Sequence, residues 1–143
     1  MKYIITTLFC LFVISTYAQD TINIEVETPK IVTKLNYGNT YKYKNVEVKF
    51  IKIVSDSRCP KDVQCVWAGK AEVLVSITKN AKYGSVEEIK TVTIPPHANL
   101  QNKLNLIFSS EEFSIEGFDL LPYPVSGKKT KPEDFVLQLY VKE

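Results

Sequence analysis

Hydrophobic and polar residues alternate with a period of two along most of the chain, which is typical of strands with one buried face. The clearest example is the segment 71–78, where Ala71, Val73, Val75 and Ile77 occupy alternate positions. No comparable run repeats every 3.6 residues after position 18, so the pattern favours sheets over helices. Strands are predicted over residues 22–26, 31–35, 40–44, 46–53, 71–78, 86–94, 104–108, 113–123 and 134–142.

Turn residues and a shift in the pattern mark where these strands bend or end. A turn over residues 80–85 predicts a hairpin, and Pro95 ends its second strand because proline donates no backbone hydrogen bond. The hydrophobic face changes from Phe50 to Ile51, which predicts a β-bulge. Connectors are expected at residues 37–39, at 109–112 as one helical turn, and at 124–132 as a polar loop.

The number and length of these strands predict the fold class. About eight short strands separated by glycine, proline and asparagine turns are typical of a β-sandwich or a small barrel. We favour a single all-β domain built as an antiparallel sandwich of about seven to eight strands.

The first eighteen residues are typical of a cleavable secretory signal. Lys2 precedes an uncharged apolar run that is too short to span a bilayer, and Ala18 offers the small residue needed for cleavage. Lipidation at Cys10 is the alternative, but Phe9 stands where that reaction needs a small residue. We therefore expect a secreted or periplasmic protein, with a signal over 1–18 and a single domain over 19–143.

The charge balance narrows the range of partners. The chain carries 18 basic and 16 acidic residues, so the mature part has no excess charge suited to nucleic acid or an anionic membrane. We expect no nucleic-acid partner, no membrane insertion after signal cleavage and a monomer. No cofactor is expected either, because a structural zinc site needs four ligands and the mature chain offers only His97 beside two cysteines.

Cysteine counting predicts one disulfide bond. Removal of Cys10 with the signal leaves Cys59 and Cys65 as an even pair in an oxidising compartment. Residues six apart in a strand would lie about 20 Å from each other, far beyond the roughly 4.4 to 6.8 Å between the Cα atoms of a disulfide. The segment between them is therefore expected to be a folded-back loop.

The bridged loop lies within the most distinctive segment of the sequence, DSRCPKDVQCVWAG at residues 56–69. Its two-cysteine pattern, DSRCP-x4-CVWAG, resembles a family of small exported bacterial proteins and lipoproteins with no assigned function. The later pairing of LPYP at 121–124 with EDFVL at 133–137 is similar to the C-terminal pattern of that family. The resemblance implies an immunoglobulin-like β-sandwich with one disulfide, and it implies no catalytic residues.

The same segment supplies the candidate binding loop, Asp56, Arg58, Asp62 and Trp67. The three charged side chains could recognise a carboxylate or a cation, although Asp56 and Arg58 could instead pair with each other or with loop amides. Trp67 is expected to cover the disulfide and to seal one end of the sandwich. Gly69 is expected to allow a positive φ at the entry of the next strand.

A second candidate surface consists of three tyrosines around one turn. Tyr41 and Tyr43 share a strand face near Tyr37, and exposed aromatic side chains of this kind can stack on sugars or on partner proteins. Packing within the sheet is the alternative interpretation. Neither surface contains an obvious catalytic group.

We therefore expect a non-enzymatic exported protein that binds a protein or glycan partner through loops at one end of the sandwich. An inhibitor of an exported hydrolase, with the bridged loop as a stiff wedge, is the first alternative. A hydrolase that uses two carboxylates is the second, with Glu87-Glu88 and Glu111-Glu112 as acidic pairs.

Overall fold

The computed structural model describes residues 32–81, 84–96 and 105–143. The predicted signal, Cys10, the predicted strand over 22–26 and His97 lie outside these residues. Eight strands are described, in chain order β1 Val32–Asn36, β2 Thr40–Tyr43, β3 Val46–Asp56, β4 Ala71–Ala81, β5 Gly84–Ile94, β6 Leu106–Ser109, β7 Ser114–Leu121 and β8 Val136–Lys142.

The eight strands form two antiparallel sheets of four strands each. The first sheet has the order β1-β8-β7-β6, and the second has the order β2-β3-β4-β5. The two sheets pack face to face, so the predicted all-β sandwich is confirmed. In the described residues no helix is long and apolar enough to cross a membrane.

The core lies between the sheets and is built from the alternating apolar positions. Val73 and Val75 of β4 belong to one buried cluster with Leu120 of β7 and Leu137 of β8, and all four are fully buried. This cluster explains the period of two, because every second side chain of a paired strand points to the same face of its sheet.

The predicted bulge in β3 is confirmed. The register against β4 shifts between Phe50 and Lys52 and again between Ile53 and Ser55. These irregularities bend the strand as it leaves the core and approaches the bridged loop. The predicted hairpin is also confirmed, since β4 pairs with β5 from Ala71–Ile94 to Ala81–Gly84.

Two connectors differ from the sequence prediction. Residues 109–112 form no helical turn; Ser110 instead closes a tight β6–β7 connection by donating its amide hydrogen to Phe113 O at 2.9 Å. The last strand starts at Val136 rather than at residue 134, because Pro132–Asp134 form a short 3-10 turn. A tight local hydrogen bond thus replaces the expected geometry at the first site, and proline favours the turn at the second.

Candidate functional site

The bridged loop joins β3 to β4 at one end of the sandwich and is closed at its base by backbone hydrogen bonds. Ser57 N donates to Lys70 O at 2.9 Å, and Cys59 N donates to Ala68 O at 3.0 Å. The Cys59–Cys65 disulfide closes the tip, with a Cα–Cα distance of 5.9 Å. The predicted disulfide and folded-back loop are therefore confirmed.

Gly69 makes the close approach at the base of this loop possible. Its φ is +70°, a backbone conformation that residues with a Cβ atom rarely adopt. A Cβ atom placed there would lie 1.9 Å from Ser57 O, well inside van der Waals contact. The positive φ expected at Gly69 is confirmed, and the structure adds a steric requirement for glycine.

Arg58 is the buried centre of the loop. Its Nε donates to Asp56 Oδ1 at 2.8 Å, and its second terminal nitrogen donates to Asp56 Oδ2 at 2.7 Å. This two-point ion pair leaves the Arg58 side chain with 0% exposure and the Asp56 side chain with 16%. The alternative in which Asp56 pairs with Arg58 is confirmed, and a ligand cannot reach the enclosed guanidinium.

The same guanidinium fastens the bridged loop to the end of β7 and to the segment that follows it. Arg58 also donates to the backbone oxygens of Leu120 and Pro122, the second at 3.1 Å. Its guanidinium carbon lies 4.7 Å from the centre of the Tyr123 ring, which is within cation–π range. One arginine thereby connects the two sheets at this end of the sandwich.

Asp62 makes a second connection between the two loops. Its Oδ1 accepts a hydrogen bond from Ser126 N at 2.8 Å, while the neighbouring Lys61 N donates to Pro124 O at 3.0 Å. Asp62 thus caps a backbone amide of the β7–β8 loop while its side chain stays at the surface. The structure brings Asp56 and Arg58 together, and it directs Asp62 to a different partner.

Trp67 does not seal the sandwich, and this prediction is wrong. Its side chain is 82% exposed, and its neighbour Val66 is 91% exposed. At this end of the sandwich it is Arg58, not Trp67, that packs against an aromatic ring, that of Tyr123. Val63 is also exposed, at 46%. We call the three exposed side chains of Val63, Val66 and Trp67 the apolar tip of the bridged loop.

The sequence contains a signal for this tip that the predictions above did not use. Val63 and Val66 flank Cys65 outside any predicted strand, so no alternating pattern accounts for them. Apolar residues in a short bridged loop have little core within reach. Their position therefore indicates exposure more than burial.

A groove of about 490 Å³ lies beside the apolar tip. Its walls include Pro60 and Val63 from the bridged loop, Pro96 from the end of β5 and Tyr123 from the opposite loop. A second groove of about 220 Å³ shares Lys61 and Tyr123 with it. The two grooves form one surface across both loops.

The outer part of this surface carries three lysines and one acidic residue, Asp134. The second groove is lined by Lys128 and Lys129, which with Lys61 form no ion pair within the described residues. Lys70 differs, because it lies 2.8 Å from Glu72 and its hydrogen bond lowers the pKa of that carboxyl. Lys61, Lys128 and Lys129 therefore present unpaired ammonium groups next to the apolar tip.

The three tyrosines pack against the core of the sandwich. Tyr43 lies beside Phe113, away from the bridged loop, whereas Tyr37 N donates to Phe135 O at 3.1 Å, next to the β7–β8 loop. The Tyr37 and Phe50 rings meet edge to face with their centres 5.6 Å apart, and the rings of Tyr41 and Tyr43 are nearly parallel. A hydrogen bond to Glu143 raises the pKa of Tyr43. The packing interpretation is therefore confirmed for these half-buried rings.

The acidic pairs named above have neighbours of their own. Glu87 accepts a hydrogen bond from Ser76 at 2.6 Å, and Glu112 lies 3.5 Å from the ammonium group of Lys44. Across the described ranges, no group of three or more His, Cys, Asp or Glu side chains is arranged to hold a metal ion.

Comparison with protein-family models, curated proteins and solved structures found no match for this chain.

Removal of the disulfide is expected to lower the free energy of unfolding by about 2.4 kcal/mol, the chain-entropy value for a seven-residue loop. The double variant Cys59→Ser/Cys65→Ser, compared with the wild type in urea unfolding, measures this change. The fold should persist, because the Arg58 contacts and the base of the loop do not involve sulfur. Loss of all cooperative unfolding would contradict this expectation.

The exposure of Trp67 can be measured directly because it is the only tryptophan of the chain. We expect acrylamide to quench its fluorescence nearly as well as that of a free indole, because 82% of its surface is open to solvent. The urea-unfolded protein is the control. A folded state that is quenched several-fold less than the unfolded state would show that the tip is covered.

Proposed function

We propose that this chain is an exported, non-enzymatic β-sandwich protein of immunoglobulin-like architecture that binds a partner protein through its apolar tip. The observation that supports the proposal best is the exposure of Val66 and Trp67 on a loop whose backbone is held in place. Exposure of adjacent large apolar side chains is costly unless something covers them. A partner surface would remove this apolar area from water.

The rigidity of the loop supports a recognition role. The disulfide, the buried Arg58 and the close approach at Gly69 hold the tip before any partner arrives. A loop that is already ordered loses little conformational entropy on binding, so more of the contact energy appears as affinity. Tryptophan is also among the residues that contribute most to protein interfaces.

The chemistry of the tip favours a protein over a glycan. Sugars stack on flat aromatic rings, whereas two of the three side chains of the tip are valines. The groove beside the tip also has proline and tyrosine walls that suit an apolar side chain. The neighbouring Lys61, Lys128 and Lys129 would complement an acidic rim on the partner.

Export is supported by the sequence and by the disulfide. Residues 1–18 have the pattern of a secretory signal, and disulfides persist mainly in oxidising compartments. The proposed partner would therefore be met at the cell envelope or outside the cell.

Substitution of the tip is expected to abolish partner binding without unfolding the protein. We expect that an envelope protein is cross-linked to the wild type but not to the variant Val66→Ser/Trp67→Ser, because the interface of the variant loses its apolar centre. Surface substitutions of this kind usually change stability by less than about 0.5 kcal/mol. Chemical cross-linking to an envelope extract, followed by mass spectrometry, measures the difference.

Val54→Ser is the matched control for this experiment. Val54 is 49% exposed and lies on β3 rather than on the tip. The proposal requires a cross-linked partner that the wild type and the control share and the tip variant lacks. Equal capture by all three proteins would exclude the tip as the binding surface.

Inhibition of an exported hydrolase is the second candidate, and the protruding shape of the loop favours it. Val66, the most exposed large apolar residue that the structure describes, directly follows Cys65 on a loop that is closed by the disulfide. A stiff loop of this kind could fill an active-site cleft without becoming disordered. A panel of exported proteases and glycosidases would test this idea, and inhibition that survives Val66→Asp would exclude it.

A further inference from the structure

The second sheet ends in a long strand whose outer edge has no strand partner among the described residues. β5 pairs with β4 on one side only, and it runs for eleven residues. It also exposes two large apolar side chains, Val86 at 69% and Ile89 at 62%. An exposed edge of this length offers a row of free backbone hydrogen-bonding groups to another strand.

We propose that a second copy of this chain pairs with β5 in the antiparallel direction, with the two-fold axis at Ile89. Such a contact is self-complementary, as a two-fold dimer requires. It would join the sheet that contains β5 in one copy to the same sheet in the other copy, which gives one continuous sheet of eight strands. The sequence alone favoured a monomer, and the edge strand carries the argument for the dimer.

The residues of β5 match one another in this register. Ile89 lies opposite its own copy, and Val86 lies opposite Val92 of the second chain. Glu88 lies opposite Lys90 of the second chain, and this ion pair occurs twice because of the symmetry. Cross-strand pairs of apolar residues and of opposite charges both stabilise a sheet.

Neighbouring registers lack this complementarity. A shift by one residue places Ile89 opposite Glu88 or Lys90, so that a charge faces an apolar side chain. A shift of the axis to Glu88 or to Lys90 places two like charges opposite each other, which destabilises the pair. The sequence of β5 therefore selects the axis at Ile89.

The two charged groups are available for this contact. Glu88 is exposed and Lys90 is half-buried, and neither forms an ion pair within the described residues. Beyond Ile94 the chain continues with Pro95 and Pro96, which donate no backbone hydrogen bond and so limit the length of the pairing. The antiparallel arrangement would direct the two apolar tips toward opposite ends of the dimer.

The expected dimer is reversible. An interface with one strand from each copy lies at the small end of the range, below about 1,200 Å² in total. We therefore expect the weight-average mass in sedimentation equilibrium to rise from that of the monomer toward that of the dimer as concentration increases. A monomer mass at every concentration up to the millimolar range would overturn the proposal.

Charge reversal tests the register. Glu88→Lys places a second lysine opposite Lys90, and Lys90→Glu places a second glutamate opposite Glu88, so each variant alone should dimerise at least ten-fold more weakly than the wild type. An equimolar mixture of the two variants allows a heterodimer in which one chain carries lysine at positions 88 and 90 and the other chain carries glutamate at both.

With the axis at Ile89, the heterodimer pairs two lysines of one chain with two glutamates of the other, so both opposite-charge pairs are restored. Association in the mixture should therefore return to at least the strength of the wild type. Restored association supports the pairing along β5, and its absence overturns that register.

Two further variants control for net charge and for folding. Glu133→Lys and Lys131→Glu make the same charge changes on the β7–β8 loop, and they should leave the dimer unchanged. Equal melting temperatures for the β5 variants and the wild type establish that folding is preserved. If Glu88→Lys and Lys90→Glu each dimerise as strongly as the wild type, the pairing along β5 is wrong.

Discussion

Gly69→Ala is expected to lower the free energy of unfolding by about 3 to 5 kcal/mol. Two costs combine at this position. A left-handed backbone costs an alanine about 1 to 2 kcal/mol. The new Cβ would also lie 1.9 Å from Ser57 O, which is a backbone atom, so the base of the bridged loop must separate.

Gly38→Ala is the matched control for this prediction. Gly38 has a φ of +77°, and nothing lies within 4 Å of the position where its Cβ would be. This variant therefore measures the backbone cost alone, about 1 to 2 kcal/mol. Urea unfolding of the two variants separates the terms, and equal losses would show that the contact with Ser57 relaxes freely.

Asp56→Ala is expected to cost about 3 to 5 kcal/mol, because it leaves a buried guanidinium without its counter-ion. Arg58 has no exposed side-chain surface through which water could replace the lost carboxylate. The carbonyl oxygens of Leu120 and Pro122 remain, but neither carries a full negative charge. The midpoint of urea unfolding should fall accordingly.

Lys42→Ala provides the comparison with an exposed ion pair. Lys42 and Glu47 lie 2.9 Å apart, but their side chains are 70% and 28% exposed. Exposed pairs contribute about 0 to 1 kcal/mol, so this variant should be nearly as stable as the wild type. If Asp56→Ala is also within about 1 kcal/mol of the wild type, the carbonyl groups and the Tyr123 ring alone satisfy Arg58.

These expectations separate stability from binding in the bridged loop. Substitution of Asp56 or Arg58 would weaken any binding site on the loop simply by loosening it. Val66 and Trp67 make no comparable contribution to the fold, because most of their surface is in water. Binding experiments on the tip residues are therefore the informative ones.

The period-two pattern was enough to predict the sheets. Strands β3, β4 and β5 lie close to their predicted positions, and the bulge follows from the change of face after Phe50. The local bridge between Cys59 and Cys65 also followed from spacing and compartment. These features are local, because they depend on neighbouring residues and on a side chain's direction from its strand.

Other features depend on which segments meet in space. Arg58 and Trp67 are nine residues apart in one loop, and residue type alone suggested that the tryptophan would be buried and the arginine accessible. The reverse holds because Asp56, the carbonyl groups at the end of β7 and just after it, and the Tyr123 ring surround Arg58. Most of those partners come from a segment more than sixty residues later, which no local pattern could connect to it.

The sequence by itself thus determined the strands, the sandwich class and the bridged loop. Only the tertiary structure decided that the apolar tip faces solvent, and that β5 lies at the edge of its sheet among the described strands. An alternating pattern specifies which side chains share a face, but not what covers that face. Burial and edge position depend on how distant segments assemble, and here that assembly left exposed the two surfaces proposed to bind.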